Sequence, residues 1–146
     1  MPDANRVMRL LRLTYRTYFL TPEDFVRFVE IGSFSRHWKQ LGLDDDDLLV
    51  LQMGIMAAPR KGAVVKGTGG LRKLRYRREG LEEGKSGGVR VYYAFLDEFS
   101  IVLLMAAYAK SRKEDLSVVD RESLAKALIR VEKILSERGD RASGNE

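Results

Sequence analysis

Two strand-like runs around a glycine-rich connection constrain the fold of this chain more than any other feature. The stretch from Gly67 to Tyr93 reads GTGGLRKLRYRREGLEEGKSGGVRVYY. Cations recur at every second position of its first run, and successive side chains of a β-strand point to opposite faces. A short polar connection between two such runs favours a β-hairpin. The stretch therefore predicts two paired strands with positive charge gathered on one face.

The alternation assigns particular cations to that face. In the first run, Lys73, Arg75 and Arg77 share one face, and in the second run Arg90 and Tyr92 share one face. The opposite face of the second run carries aromatic side chains that we expect in the core. Cations beside aromatic rings are typical of surfaces that hold phosphate and stack bases. A solubilising role for the same cations at a sheet edge is the alternative interpretation.

Composition narrows the class of protein. The chain has 146 residues, 45% hydrophobic and 32% charged, which suits one folded domain with a core. Its formal net charge is +5, and clustered positive charge favours a polyanionic partner, with nucleic acid the first candidate. The chain has no cysteine, which excludes disulfides and thiolate chemistry. His37 is the only histidine, so a pair of histidines cannot supply acid and base.

Apolar spacing and capping signals predict one α+β domain at residues 24–137. We expect a small, twisted, mostly antiparallel sheet, two N-terminal helices and a C-terminal helix. Residues 1–23 are expected to form an extension and residues 138–146 a polar tail. No apolar run approaches the roughly 20 residues that span a bilayer, so we expect a cytoplasmic protein with no membrane contact. The predicted elements are strands Asp24–Ile31, Leu71–Arg77, Val89–Leu96 and Ser100–Ala109, and helices Phe34–Leu41, Asp45–Ala58 and Val118–Glu137.

Two motifs that could indicate a cofactor or a metal favour simpler interpretations. GLEEGKSGG has one residue too few between its glycines for a nucleotide-binding P-loop, and it precedes a strand rather than a helix. The acids Asp44–Asp47 begin a predicted helix, where negative charge favours the helix dipole and Asp44 can act as the N-cap. The sequence therefore predicts neither a cofactor nor a metal.

Several motifs in a fixed order resemble the RelE/HigB toxins of bacterial type II toxin–antitoxin systems, especially the phage-associated HigB-like branch. They are GTGGLRKLR, GKSGGVRVYY and YAKSRKEDLS, preceded by FSRHWKQLGLDDDDL, and together they cover about Phe25 to Leu135. The resemblance implies a RelE-like fold and an endoribonuclease, or mRNA interferase, that cleaves mRNA on the translating ribosome. It also implies a cognate antitoxin as the partner, laid over the basic surface.

The resemblance also implies a set of site residues. The family's cationic strand positions fall on Lys73 and Arg75, and its arginine of the next strand falls on Arg90. Some family members place a catalytic tyrosine beyond the last strand, where this chain reads KEDLS and has none. We expect catalytic roles for Lys73, Arg75, Lys85 and Arg90, and RNA contacts from Arg72, Arg77, Tyr92, Lys110, Arg112 and Lys113.

Metal-free cleavage of RNA can use the 2′-hydroxyl as the nucleophile. Lys73 or Lys85 is then the candidate base, because neighbouring cations depress the pKa of a lysine. Arg75 and Arg90 would clamp the phosphate, and Tyr92 would stack on a base or donate a proton. Three alternatives remain open: a nonenzymatic gyrase inhibitor of the ParE kind, a decayed toxin that only binds RNA or ribosomes, and a basic domain whose cations are solubilising.

Overall fold

The computed structural model describes residues 25–78, 88–109 and 116–144, with side chains as far as Gly139. The predicted extension at residues 1–23 lies outside the described residues, as do Lys85, Lys110, Arg112 and Lys113. In chain order the elements are β1 (Arg27–Glu30), α1 (Phe34–Gln40), α2 (Asp45–Ala57), β2 (Ala63–Val64), β3 (Leu71–Tyr76), β4 (Val89–Leu96), β5 (Ile101–Ala109) and α3 (Val118–Gly144).

Five strands form one sheet in the order β1-β5-β4-β3-β2. β1 runs parallel to β5, and every other neighbouring pair is antiparallel. The predicted hairpin is confirmed as β3 and β4, and a short 3₁₀ turn at Asp97–Phe99 connects β4 to β5. The apolar strand β5 lies between β1 and β4 and is buried from Ile101 to Ala107, as its composition predicts. The predicted α+β class is therefore confirmed.

Capping explains where α2 begins. The Asp44 side chain accepts a hydrogen bond from the Asp47 backbone N–H, and the Asp47 side chain accepts one from the Asp44 N–H, each at 2.9 Å. This capping box satisfies two backbone donors that a helix start leaves unpaired. Ser33 is the N-cap residue of α1, but its side chain makes no capping hydrogen bond. Helix α3 continues past the predicted end at Glu137 to Gly144, through residues that include good helix formers.

The sheet has a separate core on each face. Helices α1 and α2 cover one face, where Tyr76, Val91 and Tyr93 are buried with their apolar side chains. On the other face, Leu71 and Tyr92 pack into a second core with α3. Because side chains alternate along a strand, Lys73, Arg75 and Arg90 belong to this second face.

Candidate nucleic-acid interface

The strand register brings the predicted cations together. Arg75 of β3 lies directly opposite Arg90 of β4, and Lys73 lies directly opposite Tyr92. Residues directly opposite in an antiparallel pair share a face, with their Cβ atoms about 4.5–5.5 Å apart. We call Lys73, Arg75 and Arg90 the cationic cluster. Arg77, just beyond the end of β3, is exposed.

The opposition of Arg75 and Arg90 carries an electrostatic cost. Like charges directly across a strand pair destabilise a sheet. Arg75 is exposed, whereas Lys73 and Arg90 are half-buried, so solvent screens the cluster only in part. An anion bound between the two guanidinium groups would relieve this repulsion, and planar guanidinium groups match the oxygens of a phosphate. The cluster is therefore suited to hold a phosphodiester.

The structure places Tyr92 in the interior. Only 2% of this residue is exposed, and its ring meets the ring of Tyr108 edge to face, with centroids 6.1 Å apart. A base can stack only on a ring with an open face, so this placement gives no support to the expected contact between Tyr92 and RNA. Alternation predicted the face of Tyr92 but not the core that buries it.

Arg72 lies on the face opposite the cationic cluster. Its Nη1 atom donates to the carbonyl oxygens of Arg60 and Gly62, each at 2.8 Å. A guanidinium committed to two carbonyls of the preceding loop stabilises that loop, so the placement of Arg72 does not support the expected RNA contact. The sequence pattern gave no sign of this loop contact, because the partners are backbone oxygens.

The loop from Pro59 to Gly62 is held by a buried tyrosine. The Tyr93 hydroxyl donates to the carbonyl of Pro59 at 2.8 Å and accepts from the N–H of Gly62 at 3.0 Å. Arg60 forms an ion pair with Asp97 and lies over the ring of Phe95, 4.9 Å from its centroid. The loop is therefore fixed against β4 at several points, and its fixed position places Lys61 and Gly62 beside β3.

Replacing Gly62 by alanine is expected to destabilise the protein by about 1–3 kcal/mol, the usual cost of overpacking a well-filled site. A Cβ atom at Gly62 would lie 2.6 Å from the Tyr93 hydroxyl and 3.0 Å from the carbonyl oxygen of Lys73. Neither group can retreat easily, because one is buried and the other belongs to a strand. Urea unfolding would measure the loss; a variant as stable as the parent would show that the loop is not closely packed there.

Burial raises the pKa of the Tyr93 hydroxyl above its ordinary value of 10.0, against smaller opposing effects of the Gly62 backbone hydrogen bond and the charge of Arg72. A raised pKa in the folded state means that the unfolded chain ionises first as the pH rises. The stabilisation is therefore complete below pH 10 and is lost as the pH rises above it. In urea unfolding at about pH 8 and about pH 11, we expect a larger alkaline loss in the parent than in Tyr93→Phe. Equal losses in the two proteins would contradict this origin.

A cleft of about 230 Å³ opens at the edge of β3, beside the cationic cluster. It forms because β2 pairs with β3 only at Arg72 and Lys73, which leaves the following residues of β3 without a strand neighbour on that side among the described residues. Lys61 adds a further positive charge to the rim, and sequence reasoning did not identify this residue as part of the site. The lining residues are Gly54, Ile55, Ala58, Lys61, Gly62, Lys73, Leu74 and Arg75.

A buried carboxylate ties the end of β3 to the start of α2. Asp47 is fully buried, and its side chain accepts from the Tyr76 hydroxyl at 2.8 Å and from Arg78 Nε at 3.0 Å. Arg78 Nη2 also contacts the Asp47 carboxylate, and it donates to the carbonyl of Gly42 at 2.9 Å. Sequence reasoning assigned Asp47 to the helix dipole and missed Tyr76 and Arg78, which lie about 30 residues further along the chain.

No group of three or more His, Asp or Glu side chains that could hold a metal ion occurs in the described part of the chain. Within the same residues, no helix is both long enough and apolar enough to cross a membrane.

A scan against models of known protein families finds no match for this chain. Among solved structures, the chain is similar to a double arginine-to-alanine mutant of the E. coli toxin RelE in the free state. The TM-score is 0.48 and the sequence identity is 20%, over 71% of this chain and 97% of that chain. At this level of agreement the likeness carries no argument, so the function is argued from the residues themselves.

Proposed function

We propose that this protein is the toxin of a toxin–antitoxin pair of the RelE/HigB type, a metal-independent endoribonuclease that cleaves mRNA on the translating ribosome. The observation that supports this function best is the cationic cluster, in which Lys73 and Arg75 of one strand share a face with Arg90 of the next. The order of the motifs along the chain supports the same class of toxin. The expected setting is the cytoplasm, where mRNA and ribosomes are found.

The cluster contains the groups that metal-free cleavage needs for charge. The two non-bridging oxygens of a phosphodiester gain negative charge as the 2′-oxygen attacks, and fixed cations stabilise that charge. Arg75 and Arg90 face each other across two strands, so their side chains can contact the same phosphate. Lys73, two residues from Arg75 on the same face, is the candidate base for the 2′-hydroxyl. Lys85, outside the described residues, is the second candidate.

The dependence on the ribosome follows from the chemistry that the cluster lacks. Guanidinium groups are poor acids and bases because their pKa lies above 12. A site with so limited an acid–base set gains most from a substrate that is already oriented, and orientation can contribute several kcal/mol to lowering a barrier. The decoding site of a ribosome holds mRNA in a fixed geometry. We therefore expect far slower cleavage of the same RNA free in solution.

The expected protein partner is an acidic antitoxin segment that covers the cluster. A protein with net charge +5 and a partly exposed cationic cluster attracts an acidic chain, and the contact would block access to phosphate. Formation of such a complex would stabilise the toxin and weaken as salt rises.

Induced expression followed by mapping of mRNA 5′ ends on translating ribosomes tests the proposal. New ends at defined positions within codons, formed before growth stops, are the expected result. DNA damage with intact transcripts would favour gyrase inhibition instead. Salt-sensitive binding to ribosomes with intact transcripts and continued growth would indicate a decayed toxin, and no effect at all would leave only solubilising cations.

A further inference from the structure

We propose that Tyr108 is the general acid of this site, the group that protonates the leaving 5′-oxygen. The inference rests on the proposed function and adds a residue to it. Tyr108 lies near the end of β5, directly opposite Arg90 of β4, which itself lies directly opposite Arg75 of β3. The three side chains therefore form a row across three neighbouring strands on the same face of the sheet.

The other protic groups on the described part of this face do not fit the role. The arginines hold their protons too tightly to act as acids near neutral pH. Tyr92 is only 2% exposed. Tyr108 is half-buried, so part of it reaches the surface beside the cationic cluster. A phenol has an ordinary pKa of about 10, so it carries its proton at neutral pH and can give it to an alkoxide.

Two aromatic neighbours pack against the Tyr108 ring. The Tyr92 ring lies 6.1 Å away, edge to face, and the His37 ring lies 6.3 Å away at 39°. His37 comes from α1, and its Nδ1 atom lies 3.5 Å from the Ser33 hydroxyl. A general acid must be held in a narrow range of positions, and packing between rings of two different elements restricts the ring of Tyr108. The only histidine of the chain thus contributes to the site as a positioning residue.

The order of strands also suits an in-line displacement. In such a reaction the attacking and leaving oxygens lie on opposite sides of phosphorus, so the base and the acid should flank the phosphate clamp. Lys73 is on β3 and Tyr108 is on β5, and β4 with Arg90 lies between them. Neighbouring strands are about 4.8 Å apart, so the backbones that carry base and acid are about 10 Å apart. Two long side chains that lean inward can reach one phosphodiester across this separation.

The step is balanced in bonds and protons. The 2′-oxygen forms a bond to phosphorus while the bond from phosphorus to the 5′-oxygen breaks. Lys73 accepts the proton of the 2′-hydroxyl, and Tyr108 gives its phenolic proton to the 5′-oxygen. The products are a 2′,3′-cyclic phosphate and a 5′-hydroxyl, and exchange of protons with water restores both side chains.

The test compares the parent protein with Tyr108→Phe, which removes only the hydroxyl and keeps the packing of the ring. Each is given two ribosome-bound mRNAs that differ in one atom, with either oxygen or sulfur bridging phosphorus to the 5′-carbon at the cleaved position. A thiolate leaves without protonation, so an acid contributes only to cleavage of the oxygen substrate. Since general acid catalysis contributes roughly 10²–10⁴-fold, we expect at least a 100-fold slower single-turnover cleavage of the oxygen substrate and near-parent cleavage of the sulfur substrate.

Other outcomes overturn the proposal. Equal losses on both substrates, in a variant that unfolds at the parent's temperature, would mean that Tyr108 only positions other groups. Unchanged cleavage of the oxygen substrate would show that the hydroxyl has no role. Should Tyr108→Phe fail to fold, Tyr108→Leu would be compared on the same two substrates. If the parent cleaved neither mRNA, the proposed function would fail and the inference with it, whereas failure of the inference alone leaves the parent active.

Discussion

Replacing Arg90 by alanine is expected to reduce mRNA cleavage by at least about 100-fold, the usual effect of removing one donor that stabilises charge in a transition state. Arg90 is the central member of the row that joins β3 to β5, with Arg75 opposite it on one side and Tyr108 on the other. Its loss removes half of the proposed phosphate clamp. It also removes the repulsion between two guanidinium groups, so the free energy of unfolding should change by less than about 1 kcal/mol.

This combination separates a functional arginine from a structural one. Single-turnover cleavage on programmed ribosomes would give the rate, growth after induction would give the toxicity, and urea unfolding would give the stability. Arg130→Ala is the matched control, because Arg130 is exposed on α3 and its removal changes the net charge equally. Full toxicity of Arg90→Ala would contradict the proposed clamp. An equal loss in both variants would mean that net charge, rather than the cluster, drives the activity.

Replacing Asp47 by alanine is expected to lower the free energy of unfolding by about 3–5 kcal/mol, the usual cost of removing one partner from a buried ion pair. Asp47 is fully buried and accepts from the Tyr76 hydroxyl, the Arg78 guanidinium and the Asp44 backbone N–H. Alanine would leave the buried Tyr76 hydroxyl and the largely covered Arg78 charge without this acceptor. It would also remove half of the capping box of α2.

Urea unfolding of Asp47→Ala and Asp45→Ala measures this prediction against a close control. Asp45 lies in the same first turn of α2 but is exposed, so its loss removes a similar helix-dipole contribution and no buried contact. A small loss in Asp47→Ala, equal to that of Asp45→Ala, would show that the carboxylate acts only on the dipole. Arg78→Met should reproduce most of the large effect, because it breaks the same pair from the other side.

The same ion pair connects stability to the site. Arg78 follows β3 by two residues, and β3 carries Lys73 and Arg75. The contact with Asp47 holds the end of this strand against the start of α2. Loss of the contact is therefore expected to loosen the strand that carries half of the cationic cluster, so Asp47→Ala should also reduce cleavage at temperatures where it remains folded.

Local patterns in the sequence predicted the strands, the helices and the face of each cation. Alternation along Leu71–Tyr76 and Val89–Leu96 placed Lys73, Arg75 and Arg90 together, and the register confirms that they share a face. The capping signal at Asp44 marked the start of α2 correctly. These successes have one cause, since a period of two in a strand and a capping residue at a helix start act over a few neighbouring residues.

Contacts between distant segments were decided only by the tertiary structure. Which side chain stands beside Arg90 depends on the register of β5, and this register brought Tyr108 into the row. Packing into the core shared with α3 buried Tyr92, and the approach of α2 to the end of β3 paired Asp47 with Arg78. A repeating pattern assigns a residue to a face, but it does not specify which strand or helix will cover that face. That choice depends on how the whole chain buries its apolar surface, so no short segment contains it.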